Sequence, residues 1–230
     1  MIRALIFDFD GLIVDTEWPL IEAYRLVHVA HGVRFDETLF IRSVGHAEYA
    51  FDPWHGFFVR PSSRSDGGSP HTDRAALDLE RRTHKDRLLL EQPVLPGVAE
   101  LLNAARAREL RLGLASNSER AWVEPHLIRL NLLHHFEFLA CRGDAPTPKP
   151  APDLYKLVLN QFGLRGHEAI AFEDSATGTL AAKRALLHVV AVPNRCTAHH
   201  DLSAADLRLG SLADTSLDDL LTRFSSSGLS

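Results

Sequence analysis

Short apolar runs that alternate with helical stretches most restrict the fold of this chain. They are bounded by polar or turn residues and comprise Ala4 to Phe7, Leu112 to Ala115, Ala169 to Phe172 and Val189 to Val192, with Phe136 to Cys141 as a further candidate. Continuous apolar runs of this length are typical of strands that are covered on both faces. The sequence therefore predicts a buried parallel sheet.

Helical stretches lie between these predicted strands: Val98 to Arg108, Ala121 to Leu130, Asp153 to Phe162 and Thr177 to Leu187. Strands that alternate with helices favour an α/β fold, a doubly wound parallel sheet with right-handed crossovers. This is the fold class that we expect for the main domain.

An insert interrupts the alternation after the first strand. Pro19 to His31 has apolar residues at helical spacing, and Thr72 to Leu90 has a charged helical pattern. We predict a mobile loop at Pro61 to Pro70, which is rich in Ser, Gly and Pro, and a frayed tail at Ser225 to Ser230. The expected domains are an α/β core of residues 1–16 and 92–230 and a helical insert of residues 17–91.

Composition narrows the classes of function. The chain has 230 residues, a formal net charge of -5 and two cysteines, Cys141 and Cys196, in no spacing typical of metal ligands. An acidic chain gives no reason to expect general binding to nucleic acid or to anionic membranes. The N-terminal apolar stretch is too short for a signal peptide, and no apolar run approaches the about 20 residues of a membrane span. We expect a cytoplasmic, soluble protein.

Polar clusters follow the predicted strands. The first is Asp8-Phe9-Asp10-Gly11, where alternation places both carboxylates on one side of the strand and Gly11 permits a sharp turn. Ligands of open parallel sheets bind beyond the carboxyl ends of the strands, so a functional role is one interpretation. A solvated strand end with a turn is the other.

Three further clusters have the same two interpretations. Ser116 and Asn117 follow a strand and resemble a helix N-terminus that could hold an oxyanion, or they are ordinary helix caps. Lys149 precedes Pro150 on a stiff loop and is either a fixed positive charge or a surface lysine. Glu173 and Asp174 are either cation ligands or a helix cap.

Taken together, the clusters favour the functional interpretation. Carboxylate oxygens are ligands of hard cations, a hydroxyl beside a helix N-terminus suits an anion, and a lysine balances charge. A phosphoryl group and Mg²⁺ satisfy all of these groups at once.

In these motifs, DFDG, ASNS, KPAPD and FEDSATG, the chain resembles the haloacid dehalogenase superfamily over nearly its whole length. The opening DFDGLIVDTE and the segment GDAPTPKPAPDLY resemble the subgroup of β-phosphoglucomutase and of sugar-phosphate and phosphoglycolate phosphatases. The resemblance implies a Rossmann-like core with a helical cap inserted between the first two motifs.

The resemblance also implies roles for single residues. Asp8 would be the nucleophile that becomes an aspartyl phosphate, and Asp10 would be the general acid and then the base. The residues implied in phosphate binding are Gly11, Ser116, Asn117 through its N–H, and Lys149. Those implied in Mg²⁺ binding are Asp8, Asp10 through its backbone carbonyl, Glu173 and Asp174.

Departures from the family pattern bear on the reaction. Leu20 stands where β-phosphoglucomutases have a cap histidine, and Val44 to His46 stand near the position of their cap arginine. We therefore expect hydrolysis of a small phosphorylated metabolite by a monomer, with a phosphosugar mutase and a non-catalytic phospho-ligand binder as alternatives. Asp10 argues against dehalogenases, which lack a second aspartate. Leu186 replaces the usual glycine after FEDSATG, which leaves the end of that helix open.

Substrate specificity would come from the cap, because the core contacts only the phosphoryl group. The candidate residues are His46, Trp54, Arg81, Arg82 and Lys85. For each of them, packing or solvation is the favoured interpretation.

Overall fold

The computed structural model describes residues 1–43, 52–58 and 73–225. In chain order the elements are β1 (Ala4–Phe7), α1 (Trp18–Ala30), α2 (Glu37–Ser43), α3 (His55–Phe58), α4 (Arg74–Glu91), α5 (Val98–Ala107), β2 (Arg111–Glu119), α6 (Arg120–Arg129), β3 (Phe138–Arg142), α7 (Asp153–Phe162), β4 (Ala169–Glu173), α8 (Ala176–Arg184), β5 (His188–Ala191), β6 (Leu207–Arg208) and α9 (Leu217–Ser225). Short 3₁₀ turns lie at Leu133–His135, Gly166–Glu168 and Leu212–Asp214.

The chain divides into two compact units, which we call the α/β unit and the helical unit. The α/β unit comprises Met1–Asp15 and Pro93–Ser230, and the helical unit comprises Thr16–Gln92. The sequence places the corresponding boundaries after residues 16 and 91.

A six-stranded sheet with the order β3-β2-β1-β4-β5-β6 forms the centre of the α/β unit. The strand pairs are parallel, and the order reverses direction beside β1. The prediction of a doubly wound parallel sheet is confirmed. Such a reversal is the switch point at which open α/β sheets bind ligands.

Both faces of the sheet are buried in apolar layers, as the continuous apolar runs predict. Leu5 and Phe7 of β1 lie in one cluster, and Ala4 and Ile6 lie in the other, because side chains alternate along a strand. Phe7 pairs with Phe172 of β4, and their rings stack with centroids 4.7 Å apart. This packing holds the carboxyl ends of β1 and β4 side by side.

The prediction of a helix N-terminus at Ser116 and Asn117 is wrong. Strand β2 continues to Glu119, and helix α6 begins at Arg120. The reason is pairing with β3, which resumes at Glu119 opposite Arg142 after an irregularity in the register. Ser116 and Asn117 therefore lie within β2, in the stretch between Ala115 and Glu119 where its register with β3 shifts.

Helix α8 ends without a glycine. Leu186 adopts the left-handed conformation, with φ 65°, and its side chain is 75% exposed. The left-handed backbone conformation that often follows a helix is therefore present here, and Leu186 adopts it in place of a glycine.

The helical unit is built around aromatic packing. Trp54 is 2% exposed, its ring stacks on His28 at 5.5 Å, and its indole nitrogen donates to Asp78 at 3.1 Å. Val27 and Leu77 complete this small core. Trp54 is therefore a packing residue, as the favoured interpretation held.

Some sequence predictions fall on residues that the structure does not describe. They are His46 and its neighbours Val44 and Gly45, the loop Pro61 to Pro70, and the tail after Ser225. Among the helices of residues 1–43, 52–58 and 73–225, none combines the length and the apolarity that a bilayer crossing requires.

Candidate active site

Three buried carboxylates meet beside the carboxyl ends of β1 and β4. Asp8 follows β1, Glu173 is the last residue of β4, and Asp174 comes next. Each offers an oxygen, and these oxygens lie within 4.8 Å of one another. The residues are 8%, 0% and 4% exposed, respectively. The peptide N–H of Asp8 donates to the carbonyl of Phe172 at 3.0 Å, which ties the two strand ends together.

Lys149 lies inside this carboxylate cluster. Its Nζ donates to Asp8 Oδ1 at 2.7 Å and to Glu173 Oε1 at 2.5 Å, and the residue is 7% exposed. Burial by itself would lower the pKa of Lys149, but the carboxylates of Asp8 and Glu173 outweigh it and raise that pKa. Lys149 is a buried, charged group, and the interpretation as a surface lysine is wrong.

The side chain of Asn117 fixes the backbone of Lys149. Its Oδ1 accepts from the Lys149 N–H at 2.8 Å, and its Nδ2 donates to the Lys149 carbonyl at 3.2 Å. The end of β2 thus positions the loop that carries the lysine. Sequence reasoning assigned Asn117 a backbone role and missed this contact of its side chain.

The carboxylate cluster contains more acidic groups than basic ones. Burial raises the pKa of Asp8 to about 7, against the opposing effect of Lys149, and the charge of Glu173 adds to the rise. Lys149 carries one positive charge, whereas the cluster holds three carboxylates. A hard divalent cation fits this buried set of oxygen donors, and Mg²⁺ has that ligand preference.

Tyr155 supports Glu173 and was missed by the sequence reasoning. Its hydroxyl donates to Glu173 Oε1 at 2.6 Å, and the Lys149 Nζ lies 5.1 Å from the centre of its ring. Burial, with the charge of Glu173, raises the pKa of Tyr155 well above its usual range, so the hydroxyl stays a donor. The Glu173 carboxylate also packs against Gly178, where any side chain would collide with it, because a Cβ at this position would overlap the carboxylate.

Asn194 supports Asp174 and was also missed. Its Nδ2 donates to Asp174 Oδ2 at 2.9 Å and to the Gly11 carbonyl at 3.3 Å. Its Oδ1 accepts from the N–H groups of Cys196 and Thr197, which fixes the orientation of the amide. The sequence signal is weak: Pro193-Asn194 follows the run that forms β5, at the same edge of the sheet.

Gly11 is required for the turn after Asp10. Its φ is 77°, a left-handed value that favours glycine, and a Cβ would collide with Asn194 and with Asp174. The expected sharp turn is therefore present. Gly11 contributes backbone and space to the site.

The carboxylate of Asp10 is not one of the three that cluster among the described residues, although its charge adds to the rise in the pKa of Asp8. Asp10 Oδ2 accepts from the Ser118 hydroxyl at 2.6 Å, and its Oδ1 accepts from the Trp122 indole at 3.0 Å. Ser116 is 1% exposed, and its Oγ accepts from the N–H of Ser118 at 3.0 Å. The same short segment therefore carries the predicted anion-binding serine and two donors to Asp10.

The site combines a buried carboxylate, an adjacent lysine, oxygen ligands for a cation and a second carboxylate held by donors. This set suits transfer of a phosphoryl group, which depends mainly on positioning and on neutralised charge. A model of the haloacid dehalogenase-like hydrolase family matches residues 2–185. The chain belongs to this family.

Individual relatives agree with the family assignment. YhcW of Bacillus subtilis, whose name marks it as a candidate phosphatase, is 36% identical over 98% of this chain and 99% of its own. Hexitol phosphatase B of Escherichia coli K12 is 31% identical over 96% of this chain and 97% of its own. The family and these relatives together identify the chain as a phosphatase enzyme.

A solved structure adds a ligand-bound example. It is a crystal structure of a variant of CbbY from Rhodobacter sphaeroides in complex with xylulose-(1,5)bisphosphate. The match has a TM-score of 0.66 and 26% identity, and it covers 96% of this chain and 99% of that one.

Proposed function

We propose that this enzyme is a Mg²⁺-dependent phosphatase that hydrolyses a small phosphorylated metabolite through an aspartyl phosphate on Asp8. The observation that carries the proposal is the placement of Asp8. Its carboxylate is buried, bonded to the charged Lys149 and adjacent to Glu173 and Asp174. A carboxylate attacks an anionic phosphate only where nearby cations offset the repulsion between them.

The first step forms the covalent intermediate. A carboxylate oxygen of Asp8 attacks phosphorus, the bond from phosphorus to the ester oxygen breaks, and a proton passes from Asp10 to that oxygen. The alcohol leaves, and Asp10 is left as a carboxylate.

The second step releases phosphate. Asp10, now a base, takes a proton from a water molecule as that water attacks phosphorus. The bond between phosphorus and Asp8 breaks, which restores the Asp8 carboxylate and the protonated Asp10. The two steps together transfer the phosphoryl group from the ester to water.

The remaining residues provide charge and position. Ser116 and the N–H of Asn117 would hold oxygens of the transferred phosphoryl group, and Lys149 would neutralise charge between it and Asp8. When bound by Asp8, Asp174, Glu173 and the Asp10 carbonyl, Mg²⁺ supplies positive charge that stabilises the phosphoryl group. Because Lys149 and Tyr155 both donate to Glu173 Oε1, we assign Glu173 chiefly to holding Lys149.

The relatives support a sugar phosphate or a similar ester as the substrate. One relative is a hexitol phosphatase, and the similar CbbY structure contains xylulose-(1,5)bisphosphate. We further propose that the helical unit is a cap that supplies specificity, and that the enzyme works as a monomer. A reducing compartment such as the cytoplasm fits the two buried free cysteines, Cys141 and Cys196.

The direct experiment uses p-nitrophenyl phosphate with and without Mg²⁺. We expect metal-dependent release of phosphate that is lost in Asp8→Asn and retained in Asp201→Asn, a matched change at an exposed aspartate. Full activity of Asp8→Asn, or turnover that is indifferent to Mg²⁺ and EDTA, would contradict the proposal. Conversion of β-glucose 1-phosphate to glucose 6-phosphate, with β-glucose 1,6-bisphosphate present, would assign the mutase reaction instead.

A further inference from the structure

The carboxylate of Asp10 accepts hydrogen bonds from two side chains of one segment of the chain. Ser118, near the end of β2, donates its hydroxyl to Oδ2 at 2.6 Å. Trp122, in the first turn of α6, donates its indole N–H to Oδ1 at 3.0 Å. Each carboxylate oxygen thus has its own donor, so both the position and the plane of the carboxylate are fixed.

The indole of Trp122 is itself held in place. Trp122 is half-buried, and its ring contacts His126, one turn further along α6, with centroids 4.5 Å apart at an interplanar angle of 64°. The centre of the His126 ring lies 6.2 Å from that of the Phe9 ring. Phe9 is fully buried and stands between Asp8 and Asp10 in the sequence. The donor is therefore anchored to the same core that positions the strand end of β1.

The two donors differ in chemistry. An indole nitrogen only donates hydrogen bonds, whereas a serine hydroxyl both donates and accepts. Trp122 keeps Oδ1 as an acceptor, which leaves Oδ2 to carry the proton of the neutral acid. The Ser118 hydroxyl can turn to accept from that proton until the ester oxygen replaces it, and it donates to Oδ2 again once the proton has left. The carboxyl group is held in one place while a proton arrives and leaves.

We infer that Trp122 and Ser118 are positioning residues that hold the acid and base Asp10 against the leaving oxygen. The inference rests on the proposed function, in which Asp10 gives its proton to the ester oxygen as the phosphorus–oxygen bond breaks. A misplacement of a reacting group by about 1 Å can cost about 100-fold in rate. Loss of either donor releases the Asp10 side chain to other rotamers and lowers the rate of that proton transfer.

The dependence on the leaving group is the sharpest measurement. A p-nitrophenolate anion leaves readily without a proton, whereas the more basic phenolate depends on an acid. For Trp122→Phe and Ser118→Ala, we expect kcat/KM for phenyl phosphate to fall about 10- to 100-fold, and clearly more than kcat/KM for p-nitrophenyl phosphate. A role in folding alone would lower both values by one factor.

Two controls match these substitutions. Ser118→Thr keeps the hydroxyl, and we expect it to restore the ratio of the two kcat/KM values that Ser118→Ala loses. Trp54→Phe removes an indole N–H that donates to another carboxylate, Asp78, in the helical unit, and we expect that ratio to stay unchanged.

A double-mutant comparison tests whether the effect passes through Asp10. In an Asp10→Asn background, we expect Trp122→Phe to change the ratio less than twofold, because the acid is already absent. An unchanged ratio in both Trp122→Phe and Ser118→Ala, or full additivity with Asp10→Asn, overturns the inference and leaves the proposed function standing. Failure of the unaltered protein to hydrolyse either ester with Mg²⁺ overturns the proposed function itself.

Discussion

In the proposed reaction, the charge state of Asp8 decides whether it can act as the nucleophile. Desolvation favours its neutral form, and Lys149 alone does not offset this, so its pKa rises to about 7. Attack on phosphorus requires the ionised form. A bound divalent cation would favour that form, which links metal binding to the reactivity of this single side chain.

Metal-free protein should lose stability as pH rises from about 4 to about 7. The pKa of Asp8 is about 7 in the folded chain and 3.8 ordinarily, so in this window the folded state holds a proton that the unfolded state has released. The stability that protonated Asp8 contributes is fully present below pH 3.8 and is lost as the pH rises through about 7. The measurement is the free energy of unfolding against pH in EDTA.

The control for this pH dependence is Asp8→Asn, which removes the titrating group. We expect its free energy of unfolding to fall less over the same window, and Mg²⁺ to stabilise the unaltered protein most at the upper end. Parallel curves for the two proteins in EDTA would contradict the assignment.

Asn194 should influence Mg²⁺ affinity without touching the ion. Its amide holds Asp174 Oδ2 at 2.9 Å, and removal of such a supporting contact typically costs 10- to 100-fold in metal affinity. We expect Asn194→Ala to weaken Mg²⁺ binding by about that factor in calorimetric titration. Asn160→Ala, a change at an exposed helix position, should leave the affinity unchanged. Equal affinity in the two variants would rule out this role.

The sequence predicts the gathering of Asp8, Glu173 and Asp174 better than it predicts what supports them. The carboxylates follow apolar runs, and parallel strands end at one edge, so their proximity follows from chain order. The contacts of Tyr155 and Trp122 depend on how α7 and α6 are rotated against the sheet. That rotation is set by packing among many residues, which local patterns do not encode.

At the scale of elements, Leu186 is a position where the chain departs from the conformation that its residue prefers. A left-handed backbone costs a residue with a Cβ about 1–2 kcal/mol, and glycine avoids this at an entropic cost of about 0.4–1 kcal/mol in the unfolded chain. Because the side chain is 75% exposed, little packing is lost on its removal.

Leu186→Gly should therefore stabilise the protein by about 0.5–1 kcal/mol, measured by denaturant unfolding. Leu186→Ala is the matched control: it removes the same side chain but keeps a Cβ, so we expect no comparable gain. A loss of stability in Leu186→Gly would show that the leucine side chain contributes contacts that outweigh backbone strain.

Sequence patterns predict strands and helices whose burial follows a regular pattern along the chain. They do not predict element ends that depend on pairing with a distant strand. Ala4–Phe7 and Asp153–Phe162 have the bounds that their patterns predict. Strand β6, Leu207–Arg208, has two residues and no periodicity to detect, and helix α9 was also missed. The extension of β2 to Glu119 depends on its register with β3, which is a long-range property of the sheet.

At the scale of the whole molecule, the fold brings the candidate site residues together at the switch point of one sheet, in a chain with a net charge of -5. Segments distant in sequence meet there: Asp8 after β1, Lys149 in the loop before α7, and Asp174 after β4. In the sequence, the helical unit Thr16–Gln92 is inserted between the first of these segments and the other two. The buried site therefore depends on the folded α/β unit as a whole.

Trapping the covalent intermediate tests the central claim most directly. The protein is mixed with Mg²⁺ and a substrate that carries a labelled phosphoryl group, quenched in acid within the first turnover, and digested for peptide mapping. The account predicts label on the peptide that contains Asp8, dependent on Mg²⁺ and absent in Asp8→Asn. Label on another residue, or turnover by Asp8→Asn at the rate of the unaltered protein, would contradict it.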